Sequence, residues 1–163
     1  MQRDDFPSAI RALWTELKLG EPRMVDPEHV RLRIESIGID LYDSGRGIVL
    51  IEAVAGLLSE DPARAARQVS QILRTNLGFL VDGDAGVFLR AAPSGAQSLV
   101  ATSSYRLDAS STTRFVAKIE DTLRIAEFYA GELKGNDVRL VPARSPTGSI
   151  ASTEPEAAVI FRP

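Results

Sequence analysis

The sequence predicts an α+β fold: a twisted antiparallel sheet of about five strands with three helices, in the order α-β-β-β-α-β-β-α. Three observations lead there. Apolar residues recur at helical spacing in three well-separated stretches, and between them lie short runs rich in Val and Ile, bounded by Gly, Asp and Ser. Segment 47–58, GIVLIEAVAGLL, is apolar on both alternating sets: Ile48, Leu50 and Val54 on one, Val49, Ile51, Ala53 and Ala55 on the other. It is too short for a transmembrane helix, which needs about 20 residues, so it reads as a central strand that wants a cover on each face. Its single charge, Glu52, belongs at an interface rim or a strand edge. Finally, 163 residues are enough for one domain to bury a core without disulfide or metal staples.

The first helix follows Pro7 and Ser8, with Ile10, Leu13, Trp14 and Leu17 on one stripe and Gly20 as the stop. GEPRMVDPE is a loop. VRLRI then alternates with Val30, Leu32 and Ile34 on one side, and the phase shifts at Ser36 so that Ile37, Ile39 and Leu41 take over, which implies a turn between two strands. DSGRG, at 43–47, supplies turn chemistry for a hairpin joining 37–42 to 47–57. Ser59 to Pro62 bring a cap, an acidic first turn and an early proline, and Val69, Ile72, Leu73 and Leu77 mark a second helix over 62–77. VDGDAG and PSGAQ are turns before VFLRAA and SLVATSSYRL, a second antiparallel pair. A long helix over 111–133 places Phe115, Ile119, Leu123, Ala126, Ala130 and Leu133 on one stripe, and Gly135 falls where a left-handed cap residue belongs. Segment 136–163, rich in Pro, Ser and Thr, shows no period before AAVIF and is expected to be a partly disordered tail to a domain covering 1–135.

Composition narrows the function. An apolar content of 44%, a charged content of 25% and a net charge of -3 are those of a soluble globular protein with no overall field for nucleic acid. There is no cysteine, hence no disulfide and no thiolate metal site, and MQRDDFPSAIRALW lacks the apolar core of a secretory signal. A catalytic reading would rest on His29, the only histidine, and no partner motif accompanies it; a loop histidine near the surface is the plainer account. Asp82 and Asp84 lack the remaining ligands of a calcium loop, and SGRG is followed by a strand where a phosphate loop needs a helix. Arg64, Arg67 and Arg74 are interleaved with acidic and polar residues, as on a solvated helix face. Trp14 is either a core anchor or an exposed docking residue, and its position favours the core. No catalytic residue, metal or cofactor is expected.

Five segments, RLRIESIGIDL, IVLIEAVAGLLSED, QILRTNLGFL, DGDAGVFLRA and LDASSTTRFVAKIEDTLRIAEFYAGEL, fall in the order and places that resemble the small dimeric chaperones of bacterial type III secretion, the Tir chaperone or CesT-like family, over residues 6 to 135. The Pro/Ser-rich tail and RTNL depart from that pattern. The resemblance implies a cytoplasmic homodimer of a Gram-negative bacterium, without ATPase activity. It would hold the N-terminal chaperone-binding segment of a secreted effector in extended form, with the secretion ATPase as a further partner, no nucleic acid and no membrane insertion. It makes Val69, Ile72, Leu73 and Leu77 the dimer contact, against the alternative that they pack on their own sheet. Ile10, Leu13, Trp14 and Leu17, with Val30, Leu32 and Ile34, become the candidate effector groove, against the alternative of plain core. A YbjN-like regulatory or protein-binding module of the same architecture is the second reading, and a small enzyme using His29 or the Asp82 and Asp84 pair the third.

Overall fold

Asp5 opens the first helix, α1 (Phe6–Glu16): its carboxylate accepts the Ser8 N–H at 2.9 Å, and Pro7 occupies the first turn, where no N–H partner is needed. The structure, a computed structural model, describes residues 5–82, 85–92, 95–107 and 111–135, and within these the side chains of residues 77–82 are not described. Phe6, Ile10, Leu13 and Trp14 form the buried stripe of α1. The helix ends earlier than Gly20, because Lys18 turns left-handed at φ 56° and the Leu19 N–H reaches back to the Trp14 carbonyl at 3.0 Å.

The sheet has six strands, β1 (Met24–Asp26), β2 (His29–Ile34), β3 (Ile37–Asp43), β4 (Ile48–Leu57), β5 (Gly86–Ala91) and β6 (Gln97–Arg106), in the order β1-β2-β3-β4-β6-β5 with every neighbour antiparallel. The α+β class and the order of the longer elements are as the sequence predicts. The added strand is β1, three residues inside GEPRMVDPE, whose flanking prolines read as loop and whose strand character comes from pairing with β2. The phase shift at Ser36 is a tight turn in which Ile34 pairs with Ile37, so the inward set moves from even to odd numbers without changing face. At the next turn Gly45 and Gly47 take φ of 74° and 69°, which a side chain rarely tolerates, and the Asp43 carboxylate holds the Gly45 N–H at 2.9 Å.

One face of the sheet carries the core. Val30 and Leu32 of β2, Ile39 and Leu41 of β3, Val49, Ile51 and Ala53 of β4, and Leu99 and Ala101 of β6 are all buried there, beneath α1 and α3 (Thr112–Gly135). The buried stripe of α3 is rotated from the expected one: Thr122 and Tyr129 point inward, while Leu123 and Ala130 are only partly covered. Thr122 is tolerated because its hydroxyl pairs with Ser103 Oγ at 2.6 Å and donates to the Lys118 carbonyl at 2.9 Å. Gly135 closes α3 as its last helical residue, not as a left-handed cap.

The second helix, α2 (Pro62–Asp82), runs five residues beyond its expected end. Asp61 caps it, accepting the Arg64 N–H at 3.1 Å, and Gln68 anchors it, taking the Ser59 N–H at 2.8 Å and donating to the Leu133 carbonyl at 3.4 Å. Asn76 binds the backbone of Val87 in β5 through both ends of its amide, at 3.2 and 3.4 Å.

The covered face sets a clear contrast in stability. Ile51→Ala, at a residue 0% exposed, should cost about 2–5 kcal/mol in urea unfolding, whereas Leu19→Ala, at a residue 47% exposed, should stay within about 0.5 kcal/mol.

Candidate protein-binding surfaces

The residues predicted to line an effector groove are placed mostly inside the protein. Ile10, Leu13 and Val30 are 0% exposed, with Trp14 at 5% and Leu32 at 6%, so the core alternative is what a single chain adopts for these five. Only Leu17 and Ile34 stand at the rim, partly buried against the core. The physical reason is that α1 already closes over that part of the sheet; a ligand reaches these side chains only if α1 moves away. What the same end of the molecule does expose is Leu19, Met24 and Val25, the last at 59%. They lie on the α1–β1 connection and on β1, which among the described residues is an edge strand with one side unpaired. Unpaired backbone groups beside exposed apolar side chains are the ingredients for adding an extended peptide as a further strand.

The predicted dimer set is divided by α2. Ile72 turns into the chain's own core, and Val69 packs against it while staying partly exposed. Leu73 points out and is 59% exposed. Leu77 lies on α2, and its side chain falls outside the described residues. Helix α2 is thus held to its own domain along Gln68, Ile72 and Asn76 and presents Leu73 to solvent.

The face of the sheet opposite the helices has a different solution. Its central row runs Arg31, Asp40, Glu52, Thr102 across β2, β3, β4 and β6 in register. Asp40 and Glu52 sit directly opposite each other, a like-charge pair that is unfavourable unless compensated. Compensation comes from both sides. Arg31 grips Asp40 with Nε at 2.7 Å and Nη2 at 3.0 Å, and His29 Nε2 lies 2.7 Å from the same carboxylate. From the far edge Arg90 reaches Glu52 at 2.6 Å while its guanidinium lies 5.1 Å from the Phe88 ring centre. Glu52 is therefore neither at a rim nor at an edge: it is buried at the middle of the sheet and paired. Nor is His29 an exposed loop histidine, since it starts β2 with its side chain 12% exposed and stacks on Tyr42 at 4.4 Å. Farther along this face, Val54 and Phe88 are exposed on either side of the buried Val100.

Burial by itself would raise the Asp40 carboxyl, but the hydrogen bonds from Arg31 and His29, with their charges, outweigh it and hold the group below its usual value. Burial, then the charges of Asp40 and Glu52, push Tyr42 up. Both acids are engaged by cations. Among the described residues no group of three or more His, Cys, Asp or Glu side chains could hold a metal ion, and no helix is long and apolar enough to cross a membrane. Asp82 is the last residue of α2 and Asp84 lies outside the described residues, as does segment 136–163. Sequence reasoning missed Leu19, Met24 and Val25, and the available signal was weak: three apolar residues in a stretch punctuated by Pro22 and Pro27.

No family model and no curated protein matches the chain. Solved structures do. The chain is similar to the Yersinia pestis type III secretion chaperone SycH, in its complex with a stable fragment of YscM2, at 20% identity over 75% of this chain and 97% of that one, with a TM-score of 0.55. It is similar to a chain of the HopA1–SchA chaperone–effector complex at 15% identity over 78% and 97%, with a TM-score of 0.60. YbjN from E. coli aligns at 14% identity over 78% and 90%, with a TM-score of 0.54. At these identities the likeness is one of fold.

The charged row predicts a pH dependence. The folded Asp40 carboxyl titrates below its unfolded value of about 3.9, so its contribution is fully present above about pH 4 and lost as the pH falls through the folded value. The Tm gap between the protein and Asp40→Asn should be widest near neutral pH and shrink below about pH 4; a gap constant with pH would show that the carboxylate charge contributes nothing.

Proposed function

We propose that the protein is a type III secretion chaperone that binds the N-terminal chaperone-binding segment of an effector and keeps it soluble and extended for export. The observation that carries this reading is the open edge of β1, bordered by the exposed side chains of Leu19, Met24 and Val25 and by the rim residues Leu17 and Ile34. An extended client would take up the unpaired backbone of β1 and set alternate side chains against these residues. The fold supports the reading, since it is shared with SycH and SchA, both solved in complex with protein partners. So does the chemistry, because the titratable groups on the open face are committed to one another and the function asked of the chain is binding alone.

The homodimer belongs to the same proposal. Leu73, with Val69 beside it and Leu77 one turn on, would meet its counterpart across a two-fold axis, and the exposure of Leu73 supports this. The core-facing Ile72 would act by positioning the helix. The site of action would be the cytoplasm of a Gram-negative bacterium, with the secretion ATPase receiving the loaded complex. The second reading, a YbjN-like regulatory or protein-binding module, is favoured by a fold likeness of similar strength, TM-score 0.54.

Two measurements bear on this. Light scattering on Leu73→Asp, which would place an unpaired charge in an apolar contact, should report a monomer; a variant that stays fully dimeric removes α2 from the interface. Val25→Asp should lower capture of the N-terminal fragment of a secreted protein encoded beside this chain at least tenfold, with an unchanged circular dichroism spectrum. Undiminished capture would move the client away from β1, and failure of the unsubstituted chain to bind any such fragment would favour the regulatory module.

A further inference from the structure

Among the described residues the sheet ends in two edge strands, and they differ. β1 has three residues and an irregular register, whereas β5 has six and pairs with β6 without a shift. β5 also exposes Phe88 and Leu89, and its one charge, Arg90, is already committed to Glu52. A regular apolar edge of this kind invites pairing with another strand unless something blunts it. Here a side chain does so. Asn76 of α2 sets its carboxamide against the Val87 backbone, Oδ1 accepting the N–H at 3.2 Å and Nδ2 donating to the C=O at 3.4 Å. A carboxamide carries the donor and the acceptor of a peptide group, so Asn76 occupies the place at Val87 that the backbone of a further strand would take.

Backbone groups alternate in direction along a strand that pairs antiparallel. Since Val87 turns its N–H and C=O away from β6, Leu89 and Ala91 do the same, while Phe88 and Arg90 turn theirs toward it. We propose that the outer edge of β5 is an interface for β5 of a second copy, antiparallel about a two-fold axis at Leu89, and that Asn76 is the latch that holds this pairing back. In that register Leu89 meets Leu89, Val87 meets Ala91 of the second copy, and Phe88 meets its Arg90. Each outward backbone group then finds a partner, and the Phe88 ring gains a second guanidinium beside the one that already lies 5.1 Å from its centre. The two-fold register centred on Arg90 would instead set two like charges opposite each other. With Asn76 in place the pairs at Val87, at both ends of the junction, cannot form, and only the central one at Leu89 is left. The latch is weak, its two bonds lying at and beyond the long end of the N–H···O range, so a backbone strand can replace it. This stands whether or not the protein is a chaperone and whether or not α2 pairs two chains.

Asn76→Ala removes both bonds and suits a helix interior better than Asn, so α2 is kept. In sedimentation velocity on the full chain, its mass should be at least twice that of the unsubstituted protein at the same concentration, whatever oligomer the latter forms. Leu89→Pro added to Asn76→Ala should return the mass to the starting value: the Leu89 N–H points outward, so proline there costs the sheet no ladder bond and blocks only the central pair. A capped peptide with the sequence of residues 85–92 gives a second reading that does not depend on Asn76→Ala folding. Asn76→Ser, neutral and too short to span both Val87 groups, should bind this peptide at least tenfold more tightly than the unsubstituted chain. An unchanged mass for Asn76→Ala, a doubling that survives Leu89→Pro, or equal peptide affinity for Asn76→Ser and the unsubstituted chain would overturn the proposal.

Discussion

Strand β4 lies between β3 and β6 and buries Val49, Ile51 and Ala53 beneath α3, and the positions of the other elements are set by that contact. Each fully buried side chain of this kind contributes roughly 1.5–3 kcal/mol, and α3 supplies Phe115, Ile119 and Ala126 to meet them. α3 occupies one face of β4, α1 completes the cover on that side, and among the described residues no helix lies over the opposite face. α2 reaches the core through Ile72 and makes polar attachments to Leu133 and Val87. The open face must then be stable in contact with solvent. It achieves this with paired charges in the middle and leaves apolar side chains, Val54 and Phe88, toward one end.

Much of this was legible because it is written in local periodicity. The alternation of VRLRI and the phase shift at Ser36 located β2, β3 and the turn between them, and the double-sided apolar run at 47–58 identified β4 as central. Periodicity says which residues share a face; it does not say which face is covered. That is why Ile10, Leu13 and Val30 looked equally suited to a groove and to a core, and why Ile72 and Leu73, neighbours on one helix, have opposite environments. Long-range partners were invisible for the same reason. Nothing near Glu52 announces Arg90, 38 residues away, and nothing near Thr122 announces the Ser103 hydroxyl that makes a polar residue acceptable in the helix–sheet contact. β1 was missed because a three-residue strand owes its existence to its neighbour more than to its own composition.

For function, the sealed core and the exposed margins describe a division of labour. The apolar groups that give the domain its stability are withdrawn from solvent, while Leu19, Met24, Val25 and Leu73, exposed on a short edge strand, its approach and one helix side, are not part of that core. Contact made at such margins need not disturb the α3–β4 packing.

The opposed acids of β3 and β4 bear on how the protein folds. The β3–β4 hairpin closes through a tight turn and would be expected to form early, yet alone it places Asp40 against Glu52 with nothing to offset their repulsion. Arg31 arrives with the adjacent strand β2, but the countercharge for Glu52 comes only with β5, at the far edge of the sheet. The hairpin is therefore an incomplete folding unit, and its second half-neutralisation waits for the edge strand. In the finished protein the same linkage runs the other way: peeling β5 from the sheet would strip Glu52 of its cation beneath a largely closed surface, so that edge is tied to the centre of the sheet.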